Sequence, residues 1–99
     1  MTPNFVSAIA GKLGQGSGGL ALMSHDDVVP ANPDDGWSRN PYSPWISGDK
    51  LYGRGSADMK GPLAASICAA ARFQPAQLKK ALLYIVITAD EEVQGVGAQ

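Results

Sequence analysis

Apolar residues along this chain fall into runs of clearly different period. Leu82-Leu83-Tyr84-Ile85-Val86-Ile87 is an unbroken apolar run closed by Thr88, short enough for a strand and apolar on both faces, so it predicts a buried strand over 82–88. Leu20-Ala21-Leu22-Met23, ending in Ser24-His25-Asp26-Asp27, predicts a second strand over 19–25. Between them, Pro62 to Phe73 is alanine-rich with Leu63, Ile67, Ala70 and Ala71 at i, i+4, i+7 and i+8. That spacing predicts a helix over 62–73 with Pro62 in its first turn and one face on a sheet. Strand, crossover helix, strand is the grammar of an α/β fold with a mixed, partly parallel sheet and right-handed connections.

The remaining segments are less regular. Phe5, Ala8, Ile9 and Leu13 suit an amphipathic helix, but Gly11 and Gly14 interrupt it, which favours a strand over 5–10 and a loose glycine hairpin leading to the strand at 19. Val28 to Trp45 carries Pro30, Pro33, Pro41 and Pro44 and reads as a long loop. Trp37, Tyr42 and Trp45 would pin that loop to its support. Ser47-Gly48-Asp49-Lys50 between Trp45-Ile46 and Leu51-Tyr52 predicts a small hairpin, and Gln74 to Lys80 a turn.

Composition narrows the function classes. The 99 residues are 44% hydrophobic and 17% charged, which suits one small domain. The net charge of −1 and the scattered lysines and arginines offer nothing for nucleic acid to bind. No run approaches a membrane span and the first residues lack a signal-peptide pattern, so a cytoplasmic protein is expected. Cys68 is the single cysteine; surrounded by alanines, it reads as an inert buried thiol. Gly14-Gln15-Gly16-Ser17-Gly18-Gly19 matches the GxGxxG spacing but precedes a strand where a dinucleotide site needs a helix.

The chemistry gathers at the strand ends. His25 and Asp27 close one strand, Asp90, Glu91 and Glu92 the other, and the glycine loop Gly53 to Gly61 brings Asp58 to the start of the helix. In open α/β sheets the carboxyl ends of parallel strands share one edge, so these groups converge there. Crowded carboxylates repel one another unless a cation lies among them. An imidazole with carboxylates and no thiolate suits Zn²⁺ in a hydrolytic role, with Co²⁺ or Mn²⁺ as alternatives. The same loop is no phosphate cradle, because no Gly-Lys-Ser/Thr comes after it and an acid stands where phosphate would come close.

Four ordered blocks then carry a resemblance: Ser24-His25-Asp26-Asp27-Val28-Val29-Pro30, Gly36-Trp37, Leu51-Tyr52-Gly53-Arg54-Gly55-Ser56-Ala57-Asp58-Met59-Lys60-Gly61, and Thr88-Ala89-Asp90-Glu91-Glu92. Together, from about Phe5 to Gln99, they resemble the zinc-dependent deacylase and carboxypeptidase superfamily of the acetylornithine deacetylase, succinyl-diaminopimelate desuccinylase and aminoacylase type. The resemblance implies a zinc-exopeptidase-like catalytic core in which His25 binds one zinc, Asp58 bridges two and precedes a cis peptide to Met59, and Glu92 binds the second. Glu91 would be the general base and Asp27 would orient the His25 imidazole. Asp90 would support the loop. Arg54 would either meet a substrate carboxylate or brace its loop.

The implied reaction is hydrolysis of the amide bond of an N-acyl amino acid or small peptide, Glu91 moving a proton from the attacking water to the leaving amine. The family also implies a further carboxylate and a distant histidine beyond Gln99, and a lid domain that often makes a homodimer. Residues 1–99 are therefore expected to be part of a catalytic domain, a fragment inactive alone. The alternative is a non-catalytic binding or regulatory remnant of the same fold.

Overall fold

The computed structural model describes residues 8–78, 81–93 and 95. It contains β1 (Ala8–Gly14), β2 (Gly19–His25), the short strands β3 (Trp45–Ser47) and β4 (Lys50–Tyr52), helix α1 (Gly61–Ala71) and β5 (Leu82–Thr88). β5 lies at the centre of a three-stranded sheet of order β1-β5-β2, antiparallel to β1 and parallel to β2. The central place is explained by its sequence: Leu82 to Ile87 is apolar towards both faces, whereas β1 and β2 carry glycines and polar positions that tolerate an edge.

This topology corrects one expectation. The glycine segment joins β1 to β2, but the two strands do not pair as a hairpin, because β5 is inserted between them. The first segment is a strand, but over Ala8–Gly14 where 5–10 was expected, so that Gly11 to Gly14 belong to the strand and not to the loop; Phe5 lies outside the described residues, as do Lys79 and Lys80 of the expected turn. Entry into β2 requires glycine. Gly19 sits at φ 144°, and a Cβ there would lie 1.9 Å from the Leu82 carbonyl oxygen, closer than any side chain allows.

Helix α1 starts one residue before Pro62 and covers one face of the sheet, where Ile67, Ala70 and Ala71 face Leu13, Leu83 and Ile85 across an apolar cleft of about 310 Å³. Cys68 is exposed rather than buried. It is rotated about 100° from Ile67 around the helix, away from the sheet-facing stripe. The molecule measures 50 × 44 × 16 Å, a sheet with a helix on one side, and among the described residues no hydrophobic side chain is fully buried. Leu20 and Met23 of β2 remain 61% and 59% exposed. None of the described helices is long and apolar enough to cross a membrane.

The long loop is pinned as its aromatic residues suggested. Tyr42 Oη accepts the Ala31 N–H at 2.8 Å, Trp45 stacks on Tyr52 with centroids 5.2 Å apart, and Trp37 meets Trp45 edge-on. Asp35 holds both the Asn32 N–H at 2.9 Å and Arg54 Nη2 at 3.1 Å, while the Arg54 guanidinium lies over Trp37. Arg54 thus ties its own loop to the long loop, and it also lines the cleft shared with Asp58 and Glu92.

Candidate metal centre

Parallel pairing of β2 with β5 sets His25 opposite Thr88, at the same carboxyl edge. The ladder continues one step beyond the strands, since the Asp26 N–H donates to the Thr88 carbonyl at 3.0 Å. The segment after His25 must therefore run beside the segment after Thr88. The third contribution comes from the loop before α1. Gly55 adopts φ 79° and packs against Val28, and two wide backbone bonds, Lys60 N–H to the Gly55 carbonyl and Gly61 N–H to the Ser56 carbonyl, close the turn. Inside it Asp58 and Met59 leave helical geometry, and the peptide between them is cis. The Asp58 side chain, 76% exposed, is carried to the imidazole of His25.

His25, Asp58 and Glu92 each offer one donor atom, and these atoms all lie within 4.8 Å of one another. His25 is 6% exposed, so its ring is fixed. Its Nδ1 lies 3.1 Å from the Asp27 carbonyl oxygen and 3.4 Å from the Asp27 carboxylate. A carbonyl only accepts, so Nδ1 carries a proton, and in the neutral ring Nε2 presents its lone pair. That lone pair faces two more acceptors, Asp58 Oδ1 at 3.2 Å and Glu91 Oε2 at 3.6 Å. Acceptors converging without a hydrogen between them are the donor set of a cation. The His25–Asp58 separation of 3.2 Å agrees with this, because bonds of the usual zinc–nitrogen and zinc–oxygen length give a tetrahedral edge of about 3.4 Å.

Without a metal, a proton on Nε2 meets the same need. Burial alone would lower the imidazole pKa; the bond to the Asp27 carbonyl, the Asp58 carboxylate and the charges of Glu91 and Asp27 outweigh it and raise the pKa above the ordinary 6.5. The same contacts would favour a metal cation at Nε2.

Asp27 does more than the sequence suggested. Its Oδ1 accepts the Glu91 N–H at 3.1 Å and its Oδ2 the Glu92 N–H at 3.0 Å. The imidazole is held mainly by the Asp27 carbonyl, while the carboxylate clamps the turn that bears both glutamates. An acidic residue two after the strand histidine could have signalled this, since carboxylates favour exposed N–H groups at the start of a turn. Asp90 stands apart from the cluster: it takes φ 63°, and its carbonyl accepts the Gly95 N–H at 2.6 Å.

The clamp makes a pH prediction. Burial by itself would raise the Asp27 pKa, but the N–H groups of Glu92 and Glu91, its own N–H and the His25 charge outweigh this and hold it below the ordinary 3.8. A lowered folded-state pKa adds stability that is present above pH 3.8 and disappears as pH falls through the folded value. Denaturant melts of the metal-free protein and of its Asp27→Asn variant should therefore differ clearly at neutral pH and converge as the buffer is acidified below that range. A gap that is constant with pH would contradict the clamp. His25 acts in the opposite direction, its contribution fading as pH rises above 6.5 through its raised pKa.

Beside these groups lies a cleft of about 340 Å³ lined by Val29, Trp37, Arg54, Ser56, Asp58 and Glu92, among others. It gives the cluster an apolar wall and direct access from solvent.

The chain is similar to several known proteins. The sequence profile of the family described as "Peptidase family M20/M25/M40" matches residues 21–99. The succinyl-diaminopimelate desuccinylase of Xylella fastidiosa (strain M12) is 48% identical over 84 residues, 84% of this chain and 22% of that protein. The enzyme of the same name from Gluconobacter oxydans (strain 621H) is 43% identical over 91 residues, 92% of this chain and 22% of that protein. The crystal structure of human carnosine dipeptidase 1 matches with a TM-score of 0.73 and 35% identity, covering 91% of this chain and 20% of that one. The chain thus spans between a fifth and a quarter of the length of these relatives.

Proposed function

We propose, from the premise that this chain belongs to peptidase family M20/M25/M40, that residues 1–99 form part of the catalytic domain of a metal-dependent amide hydrolase. The observation that carries this is the convergence of His25, Asp58 and Glu92 within 4.8 Å, with His25 Nε2 turned towards the Asp58 carboxylate. The finer assignment is a pair of Zn²⁺ ions, with Co²⁺ or Mn²⁺ able to substitute. In it His25 and Glu92 would each hold one ion and Asp58 would serve both. When bound, such ions supply Lewis-acid polarisation of the scissile carbonyl and a more acidic water.

The chain's own residues do the rest. Asp27 fixes the Nδ1–H tautomer through its carbonyl and holds the backbone of both glutamates through its carboxylate. Glu91, 54% exposed and 3.6 Å from His25 Nε2, reaches both the metal site and solvent. It takes the proton of the attacking water and returns it to the leaving amine nitrogen. Glu92 is less exposed and turns to the ligand cluster, so the adjacent pair divides into base and ligand. The substrate class is an N-acyl amino acid or small peptide, by analogy with the names of the relatives, and the protein is assigned to the cytoplasm, with a homodimer as its full-length assembly.

The test uses the protein that carries this chain. Treatment with a chelator should abolish hydrolysis of N-succinyl and N-acetyl amino acids and of dipeptides, and added Zn²⁺ or Co²⁺ should restore it for at least one of them. Metal uptake with no hydrolysis of any of these compounds would favour the non-catalytic remnant. Hydrolysis indifferent to chelation would refute the metal reading.

A further inference from the structure

We infer that Lys60 is a positioning residue for the metal centre, acting through the peptide that joins Asp26 to Asp27; the inference rests on the metal reading above. Lys60 Nζ donates to the Asp26 carbonyl at 2.6 Å. A surface lysine usually leaves its ammonium in water or near a carboxylate. Lys60 forms no ion pair among the described residues, and its ammonium is committed to a backbone oxygen. Its stem is also placed: Gly55 has no side chain, and a Cβ there would lie 3.4 Å from Lys60 Cε. The Lys60 N–H is tied to the Gly55 carbonyl at 2.8 Å.

The bonded carbonyl matters because of its neighbours in the chain. The Asp26 N–H is fixed by β5 through Thr88, and the Asp26 carbonyl is fixed by Lys60, so the chain is held on both sides of Asp26. The next residue is Asp27, whose carbonyl orients the His25 ring and whose carboxylate holds the Glu91 and Glu92 amides. Rotation of the 26–27 peptide would move all three contacts together. Lys60 is also two residues after Asp58, on the same wide turn. Its ammonium therefore ties the loop that carries one ligand to the strand end that carries another. Lys60 touches neither ligand atom nor substrate; it acts by fixing the His25 to Asp58 separation of 3.2 Å.

The test is Co²⁺ binding to the protein carrying this chain, measured by titration and by the visible absorption of the bound ion. Lys60→Met removes the donor while keeping the stem. It should weaken Co²⁺ binding by about ten- to a hundred-fold, the usual effect of losing a group that orients a ligand, and alter the Co²⁺ spectrum, with far-ultraviolet circular dichroism unchanged. Lys60→Cys in a Cys68→Ala background should show the same defect. Aminoethylation of that cysteine rebuilds an ammonium of lysine length and should restore both affinity and spectrum, which a general loss of structure would not allow. Wild-type affinity and spectrum in Lys60→Met, or no rescue by aminoethylation, would overturn the inference alone. Failure of the unsubstituted protein to take up Co²⁺ would overturn the metal reading and this inference with it.

Discussion

Glu91→Gln is expected to lower turnover by about a hundred- to ten-thousand-fold, the usual contribution of a positioned general base, while metal content stays at the wild-type level. Glutamine keeps the size of the side chain and leaves the backbone bond from residue 91 to Asp27 intact, because that bond is made by the N–H and not by the carboxylate. What disappears is the ability to take up and release a proton. The proposed base is the exposed member of the adjacent pair, as a group that must meet both water and a leaving amine needs an open approach. The checks are steady-state kinetics and elemental analysis on the same preparation. Near wild-type turnover would refute the base assignment, and loss of metal would make Glu91 a ligand.

Asp58→Ala is expected to empty the centre, whereas His25→Ala and Glu92→Ala should each leave one ion behind. A carboxylate shared by a pair of ions is the only ligand whose removal weakens both, and its negative charge offsets their mutual repulsion. The loop is built to present this group: Gly55 accepts φ 79° and leaves no room for a side chain beside Val28, so the turn can carry Asp58 back to His25. Metal affinity should fall by more than about a hundredfold in Asp58→Ala, beyond the roughly ten- to hundred-fold effect of losing an outer group. One tightly held ion surviving in Asp58→Ala would remove the bridge.

The proposed contribution of Lys60 falls between these cases. It weakens affinity without deleting a ligand, so it separates geometry from ligand identity. The Asp27 clamp belongs with it: both residues fix the short segment after β2, one by donating to a carbonyl and the other by accepting two amides.

Much of this was legible in the chain itself. The unbroken run Leu82 to Ile87 marked a strand; its central place came from the topology, and the run is half-buried where burial was expected, because α1 covers one face of the sheet. The spacing of Leu63, Ile67, Ala70 and Ala71 indicated the helix, and the placement of His25, Asp58 and Glu92 at the ends of predicted elements indicated a candidate ligand set. These features depend on local period and on residue chemistry, both of which are written in linear order.

Pairing and contact are not. Whether β1 would sit beside β2 or across β5 depends on competition among distant segments for one central strand, and no local pattern encodes the winner. The exposure of Cys68 was by contrast implicit in the helical spacing, which puts it off the stripe of Ile67, Ala70 and Ala71, and the expectation of burial failed because it rested on its alanine neighbours instead. The Asp27 carboxylate bonds across a separation of more than sixty residues, and Lys60 across thirty-four. Sequence thus determined which groups are chemically able to hold a cation; only the tertiary structure decided which backbone amides and carbonyls hold those groups still, because such bonds exist only once remote strands have been brought side by side.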